Sequence, residues 1–198
     1  MQLDHLVVTC ADLPEGTAWL EEALGVATQA GGRHARMGTH NRLLSLGPDE
    51  YLEVIAPDPE AKAPGRPRWF ALDRRGAPGL TNWAVRTGDI EADLVRMPEG
   101  SGSPVAMERG DLRWRFAIPD DGEQPLGGAS PALLQWDGPH PAPMLDDAGC
   151  RLVSLTVRTP HPERLVAAVP RDARIAVSEG PFALSAVIRT PSGEKMLS

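Results

Sequence analysis

Five histidines, two cysteines and a handful of acids and arginines carry whatever chemistry this chain can do. His5 sits in LDHLVVT and Glu53 in YLEVIAP, two short apolar runs. Imidazole and carboxylate together exchange protons near neutral pH, or give a divalent cation two ligands. His34, His40 and Asn41 cluster around Gly38-Thr39. Asn41 tolerates a left-handed turn, and a strand-edge histidine is ordinary. Arg113 and Arg115 alternate with Leu112, Trp114, Phe116 and Ile118. If the apolar set packs on a helix, the arginines face a cleft and clamp a carboxylate or phosphate; otherwise they form the solvated face of a hairpin. His140, in GPHPAP, covers a cleft mouth or stiffens a connector, and His161 reads as a helix cap. Cys10 and Cys150 read as small core or strand-end residues, and they make neither a disulfide framework nor a zinc knuckle.

The elements that position these residues recur. LDHLVVTCAD, LTNWAVRTGD and LVSLTVRTPH align without gaps, with Leu3, Leu80 and Leu152 in step and Val8, Val85 and Val157 likewise. Each is rich in β-branched residues and reads as a strand. Each then meets a helix start at the same offset: Asp12 with Pro14 and Glu15, Asp89 before IEADLVRM, and His161 with Pro162 and Glu163. Further strands follow, HARM, NRLLSLG and YLEVIAP in the first copy, then PVAMER, LRWRFAIP and PALLQWDG in the second. The third supplies RIAVSE and FALSAVIRT and is expected to stop short of a fourth strand. Gly31-Gly32 and Gly127-Gly128 read as turns.

The expected fold class is therefore α+β, built from repeated βαβββ modules. The first module spans 1–57 and the second 80–137, with a truncated βαββ copy over 150–198. A Pro- and Arg-rich linker, 58–79, docks Trp69-Phe70 as a short helical turn, and 138–149 is the second linker.

This repeat, with His in the first strand and Glu in the last strand of a copy, resembles the vicinal oxygen chelate superfamily of glyoxalase I, extradiol dioxygenases and bleomycin-resistance proteins. GGRHARMGTHNRLLSLGPDEYLEVIAP and LLQWDGPHPAP are similar to its glyoxalase-like domain family over nearly the whole chain. The resemblance implies paired modules whose curled mixed sheets enclose a concave cleft, with helices outside. It also implies a zinc, iron, manganese or nickel ion held by the first and fourth strands of each module. Those positions are His5, Glu53, Asn82 and Gln135 here. Strand parity agrees for the first module: with Leu6, Val8, Leu52 and Val54 against the helix, His5 and Glu53 share the concave side. The same rule puts Asn82 and Gln135 in the cleft and Trp83, Val85, Leu134 and Trp136 against the second helix.

Two neutral amides are poor metal ligands, so the tetrad is incomplete unless His34 or His40 joins it. Two functions are implied. One is a lyase-, isomerase- or dioxygenase-like enzyme, not ordinary glyoxalase I, acting on a small oxygenated metabolite. In it His5 and Glu53 transfer a proton or hold a metal, and Asn82, Gln135, Asn41, Arg113 and Arg115 bind substrate. The other is a metal-free module that binds or sequesters a small molecule. The third copy would support a homodimer or cover a sheet edge.

The formal charge of −7 over 198 residues argues against a nucleic-acid or anionic-membrane partner. Asp4 and Asp12 bracket too short an apolar run for a signal peptide, so a cytoplasmic location is expected. No phosphate-binding glycine loop, nucleophile elbow or HExxH motif occurs.

Overall fold

The structure, a computed structural model, describes all 198 residues. Strand β1 (Gln2–Thr9) leads into helix α1 (Leu13–Leu24), then β2 (Gln29–His34), β3 (Thr39–Ser45) and β4 (Tyr51–Pro57). The second unit has the same order: β5 (Gly79–Arg86), α2 (Ile90–Leu94), β6 (Ser103–Arg109), β7 (Leu112–Ile118) and β8 (Ala132–Trp136). Both helices start where the sequence places a cap. The Asp12 carboxylate accepts from the Glu15 amide at 2.9 Å, and the Asp89 carboxylate from the Ala92 amide at 3.0 Å. α1 buries Leu13, Gly16, Leu20 and Leu24 along one stripe and ends at Gly25, whose φ of 68° is left-handed.

Eight strands form one curled sheet in the order β2-β3-β4-β1-β5-β8-β7-β6. β1 pairs parallel with β4 and β5 with β8, and the modules join along antiparallel β1 and β5. The curl brings the two edge strands together: the Arg36 guanidinium, just past β2, donates to the Ala106 carbonyl of β6 at 3.2 Å. This is the α+β architecture of paired βαβββ modules around a concave cleft.

The last segment departs from the repeat in detail. β9 (Arg151–Thr159), β10 (Ile175–Glu179), β11 (Ala183–Thr190) and a further strand, β12 (Gly193–Leu197), form a second sheet ordered β10-β9-β11-β12. A single 3-10 turn, Pro162–Leu165, stands where a module helix would be. The strand after that turn lies beside β9, whereas in the first module the last strand holds the equivalent place. The second sheet lies on the convex side of the first, and Leu152, Leu155, Val157, Leu184 and Ile188 share one core with Leu6, Val8, Leu20, Trp83 and Val85. α2, only five residues long, leaves that side open. Arg174 ties the segments further, meeting both oxygens of the largely buried Glu50 at 2.5 and 2.9 Å.

The short α2 also explains where parity fails. Trp114, Phe116 and Leu134 do not pack on a helix. They line the concave side with Trp69 and Phe70, in a second core of 14 buried residues. The linker turn Trp69–Arg74 reaches them with Phe70 and Ala71 at φ of 58° and 54°, left-handed values that two non-glycine residues hold because burial fixes them.

Because the two sheets share one core, Ile188→Ala should cost about 2–5 kcal/mol of global stability in a single urea transition. Two separate transitions would show that the second sheet folds independently.

Candidate functional site

The concave side holds a cavity of about 30 Å³ of free space, partly open to solvent. That is room for two or three water-sized groups, at roughly 10–15 Å³ each on the same measure. His5, His34, Asn41, Tyr51, Glu53 and Arg109 line its polar side; Trp69, Phe70, Trp114, Phe116, Leu134 and Trp136 line the rest.

At the base lies Asp4, wholly buried. In a regular strand Asp4 and His5 would face opposite sides, but β1 carries a bulge against β5 between Leu3 and His5. The bulge turns both side chains inward. The Asp4 carboxylate meets His5 Nδ1 at 2.6 Å, Trp136 Nε1 at 2.9 Å and His140 Nε2 at 3.0 Å, with Arg86 at 3.8 Å. The Ala142 amide donates to His140 Nδ1, so the proton of that ring sits on Nε2 and points at Asp4. Burial by itself raises the Asp4 pKa, but the hydrogen bonds and charges of His140 and His5 outweigh it and hold the group well below the usual carboxylate range.

With Nδ1 committed to Asp4, His5 presents Nε2 to Glu53 Oε2 at 3.5 Å. The ring stacks on Tyr51, with centroids 4.6 Å apart and planes 15° from parallel. Burial first, and then the Asp4 and Glu53 charges, push the Tyr51 phenol well above its ordinary pKa, so it stays neutral. Glu53 Oε1 accepts from the Asn41 amide. Asn41 Oδ1 in turn accepts from the Gly32 amide at 2.7 Å and from Arg109 at 3.1 Å. Arg109 also reaches His34 Nε2 at 3.4 Å. Burial, the Arg109 charge and the other histidines bring the His34 pKa down to about 3.

His5, Glu53, Asn41 and His34 are thus gathered at one cavity; other expected site residues are not. Gln135 turns away and accepts the Ile90 amide at the start of α2, at 2.9 Å. Arg115 pairs with Glu91 at 2.5 Å, and Arg113 lies beside Glu108 at 3.4 Å, both on the outer face. Gln135 reverses the sequence expectation and the two arginines take the hairpin-face alternative, because the five-residue α2 leaves the apolar sets of ALLQW and LRWRF to pack on the concave side. Asn82 is buried beside the Thr81 hydroxyl and does not line the cavity. His40 lies along an outer groove with Arg33 and Arg42. The glycines Gly31-Gly32 belong to β2, not to a turn: a Cβ on Gly32 would meet Arg109 Cδ at 2.5 Å, and one on Gly31 would meet Asn41 Oδ1 at 2.1 Å. Arg109, Tyr51 and Asp4 escaped the sequence reading. Asp4 had one signal, an acid on the helix-facing parity of an apolar strand, which betrays a bulge.

The side chains do not fit the divalent metal that the family resemblance implies. No group of three His, Cys, Asp or Glu side chains is arranged to hold a metal ion. His5 Nε2 and Glu53 Oε2 remain as two donors, but His34 faces a guanidinium, Asn82 does not line the cavity and Gln135 serves the start of α2, so no third ligand joins them.

A family model described as a glyoxalase-like domain matches residues 3–172. The chain belongs to that family. It lies within the vicinal oxygen chelate superfamily. Among solved structures, a hypothetical protein from Staphylococcus aureus is similar over 91% of this chain and 87% of its own, at 15% identity and a TM-score of 0.64. The methylmalonyl-CoA epimerase of Mycobacterium tuberculosis is 26% identical over 68% of this chain and 86% of its own, with a TM-score of 0.41. A variant of the Streptomyces coelicolor methylmalonyl-CoA epimerase, in complex with 2-nitronate-propionyl-CoA, is 17% identical over 70% and 99%, with a TM-score of 0.45. No curated protein matches the chain. No helix of this glyoxalase-like protein is long and apolar enough to cross a membrane.

The neutral His34 sets a stability signature. In the unfolded chain it titrates near 6.5, in the folded protein near 3. Between those values the unfolded state binds the extra proton, so stability falls as pH falls. From pH 7.5 to pH 5 that loss should be about 2 kcal/mol, and His34→Gln should remove it, as urea melts at both pH values would show. An equal loss in the variant would rule His34 out as its source.

Proposed function

We propose that this glyoxalase-like chain is a proton-transfer enzyme of the lyase or isomerase type, acting on a small oxygenated metabolite. The observation that carries the reading is the His5–Glu53 couple, 3.5 Å apart and lining the aromatic-walled cavity, with Asp4 bonded behind the imidazole. Asp4 fixes the ring so that Nε2 is the working nitrogen, and it stabilises the imidazolium formed when that nitrogen takes a proton. The substrate's C–H bond next to a carbonyl breaks, its proton passes to His5 Nε2 or Glu53 Oε2, and the electron pair moves onto the carbonyl oxygen. Return of the proton to the same or a neighbouring atom completes the reaction. Asn41 keeps Glu53 turned toward His5. The residues do not hold a metal, so no step is routed through one.

The five aromatic rings Trp69, Phe70, Trp114, Phe116 and Trp136 favour a second reading, a binding module that stacks its ligand. Solvent-deuterium exchange at the α-carbon of small oxo compounds, followed by proton NMR, separates the two. The enzyme reading expects exchange that His5→Gln and Glu53→Gln each slow by roughly 10²–10⁴-fold while the melting curve stays cooperative. Ligand binding without exchange would leave the binding module. Loss of folding in both variants would make the couple a structural ion pair.

A further inference from the structure

Arg109 enters the cavity as a cation in direct contact with no carboxylate; the Glu53 carboxylate of the same cavity bonds Asn41 instead. It is the last residue of β6 and crosses the gap between the sheet's two edges, passing over Gly32, where there is space only because no Cβ stands there. Its guanidinium meets Asn41 Oδ1 at 3.1 Å and His34 Nε2 at 3.4 Å, both uncharged acceptors. Arg33, Arg68, Arg74, Arg86, Arg115 and Arg174 each have a carboxylate within 4 Å. Arg109 has none, as is true of Arg36, Arg42, Arg66, Arg75, Arg158, Arg164 and Arg171, but of these it alone lines the aromatic cavity. Trp69 lines the same cavity, and its indole N–H is buried without a partner. The half-buried Arg109 guanidinium is free to take up an anion, and the buried Trp69 donor is costly until something accepts from it.

We propose that the ligand is a small monocarboxylate, an oxo or hydroxy acid of about two or three carbons that fills the cavity and reaches into its open mouth, and whose carboxylate is held by Arg109 and the Trp69 N–H. This rests on the proton-transfer reading for what happens to the ligand, but not for its binding. A planar guanidinium matches a planar carboxylate, and the indole N–H adds a donor from the linker side. The apolar end of the acid lies against the aromatic walls. Asn41 touches both halves of the site, accepting from Arg109 and donating to Glu53, so a carboxylate on Arg109 puts the adjoining carbons next to the acid–base couple. The guanidinium also supplies the positive charge that favours an enolate oxygen over the neutral carbonyl.

Titration calorimetry on the intact protein compares pyruvate and lactate with their uncharged counterparts, pyruvamide and methyl pyruvate. The acids should bind and the neutral compounds should bind roughly 10- to 100-fold more weakly. Arg109→Gln should weaken the acids by a similar factor, and so should Gly32→Ala, which leaves the guanidinium in the chain but blocks its path. Equal binding of acids and neutral compounds by the native protein overturns the proposal without any variant, as does failure of every acid to bind. α-Proton exchange decides the other reading. Arg109-dependent binding with no exchange keeps the carboxylate site and removes the proton-transfer function. Exchange on neutral ketones that survives in Arg109→Gln keeps that function and removes the carboxylate site.

Discussion

A carboxylate with no exposure to water has to be answered from within the protein, and the arrangement around Asp4 does so from three directions. His5 comes from the same strand, Trp136 from the end of β8, and His140 from the connector beyond it. Arg86, at the end of β5, adds its charge at 3.8 Å. Removing any one would leave a buried charge short of a donor, so the two modules cannot slide against each other along β1 and β5 without exposing that deficit. The bulge that sends Asp4 inward also interrupts the β1–β5 register, which is the seam of the whole eight-stranded sheet. One local irregularity therefore joins the modules and aims the imidazole.

The consequence for chemistry is a chain of polar contacts: a hydrogen bond joins Asp4 to His5, His5 faces Glu53 at 3.5 Å, and hydrogen bonds lead from Glu53 to Asn41 and on to Arg109. Each group fixes the next. Asp4 sets the His5 tautomer, His5 and Asn41 hold the two oxygens of Glu53, and Asn41 turns its oxygen to the guanidinium and the Gly32 amide. Enclosure by Trp69, Phe70, Trp114 and Phe116 keeps this polar chain in a low dielectric, where its alignment counts for more than it would in water. The linker contributes two of those rings, which is why a Pro-rich connector holds left-handed values at Phe70 and Ala71.

Much of this was legible in the residues. Strand–cap–helix repeats located both modules, and alternation in LDHLVVT and YLEVIAP brought His5 and Glu53 to the same face because one side of each run packs on α1. That logic needs a helix long enough to claim a face. α2 has five residues, and the rings of LRWRF and ALLQW turned to the concave side instead, carrying Arg113, Arg115 and Gln135 outward. The final segment misled for a similar reason. A short repeat match placed its first strand, but strand order depends on which face needs covering, and the open convex side recruits four strands rather than a shortened module. Arg109 was illegible because its position is defined across the sheet's open edge, between elements 75 residues apart in the case of His34, and by the absence of a side chain at Gly32.

The departure from the metal tetrad and the presence of Arg109 bear on each other. A fold that gathers negative charge in a concave site must neutralise it or leave a carbonyl-derived anion unsupported. Asn82 and Gln135 cannot coordinate a cation strongly, and Gln135 serves α2 instead. A guanidinium needs no ligand set, only a route in and acceptors that do not cancel its charge, and Gly32, Asn41 and the uncharged His34 provide those. The His34 ring stays neutral in part because Arg109 is there, and a neutral ring accepts from the guanidinium without opposing or cancelling its charge. That reciprocal arrangement keeps a positive charge available inside the cavity, a role that metal coordination would otherwise fill.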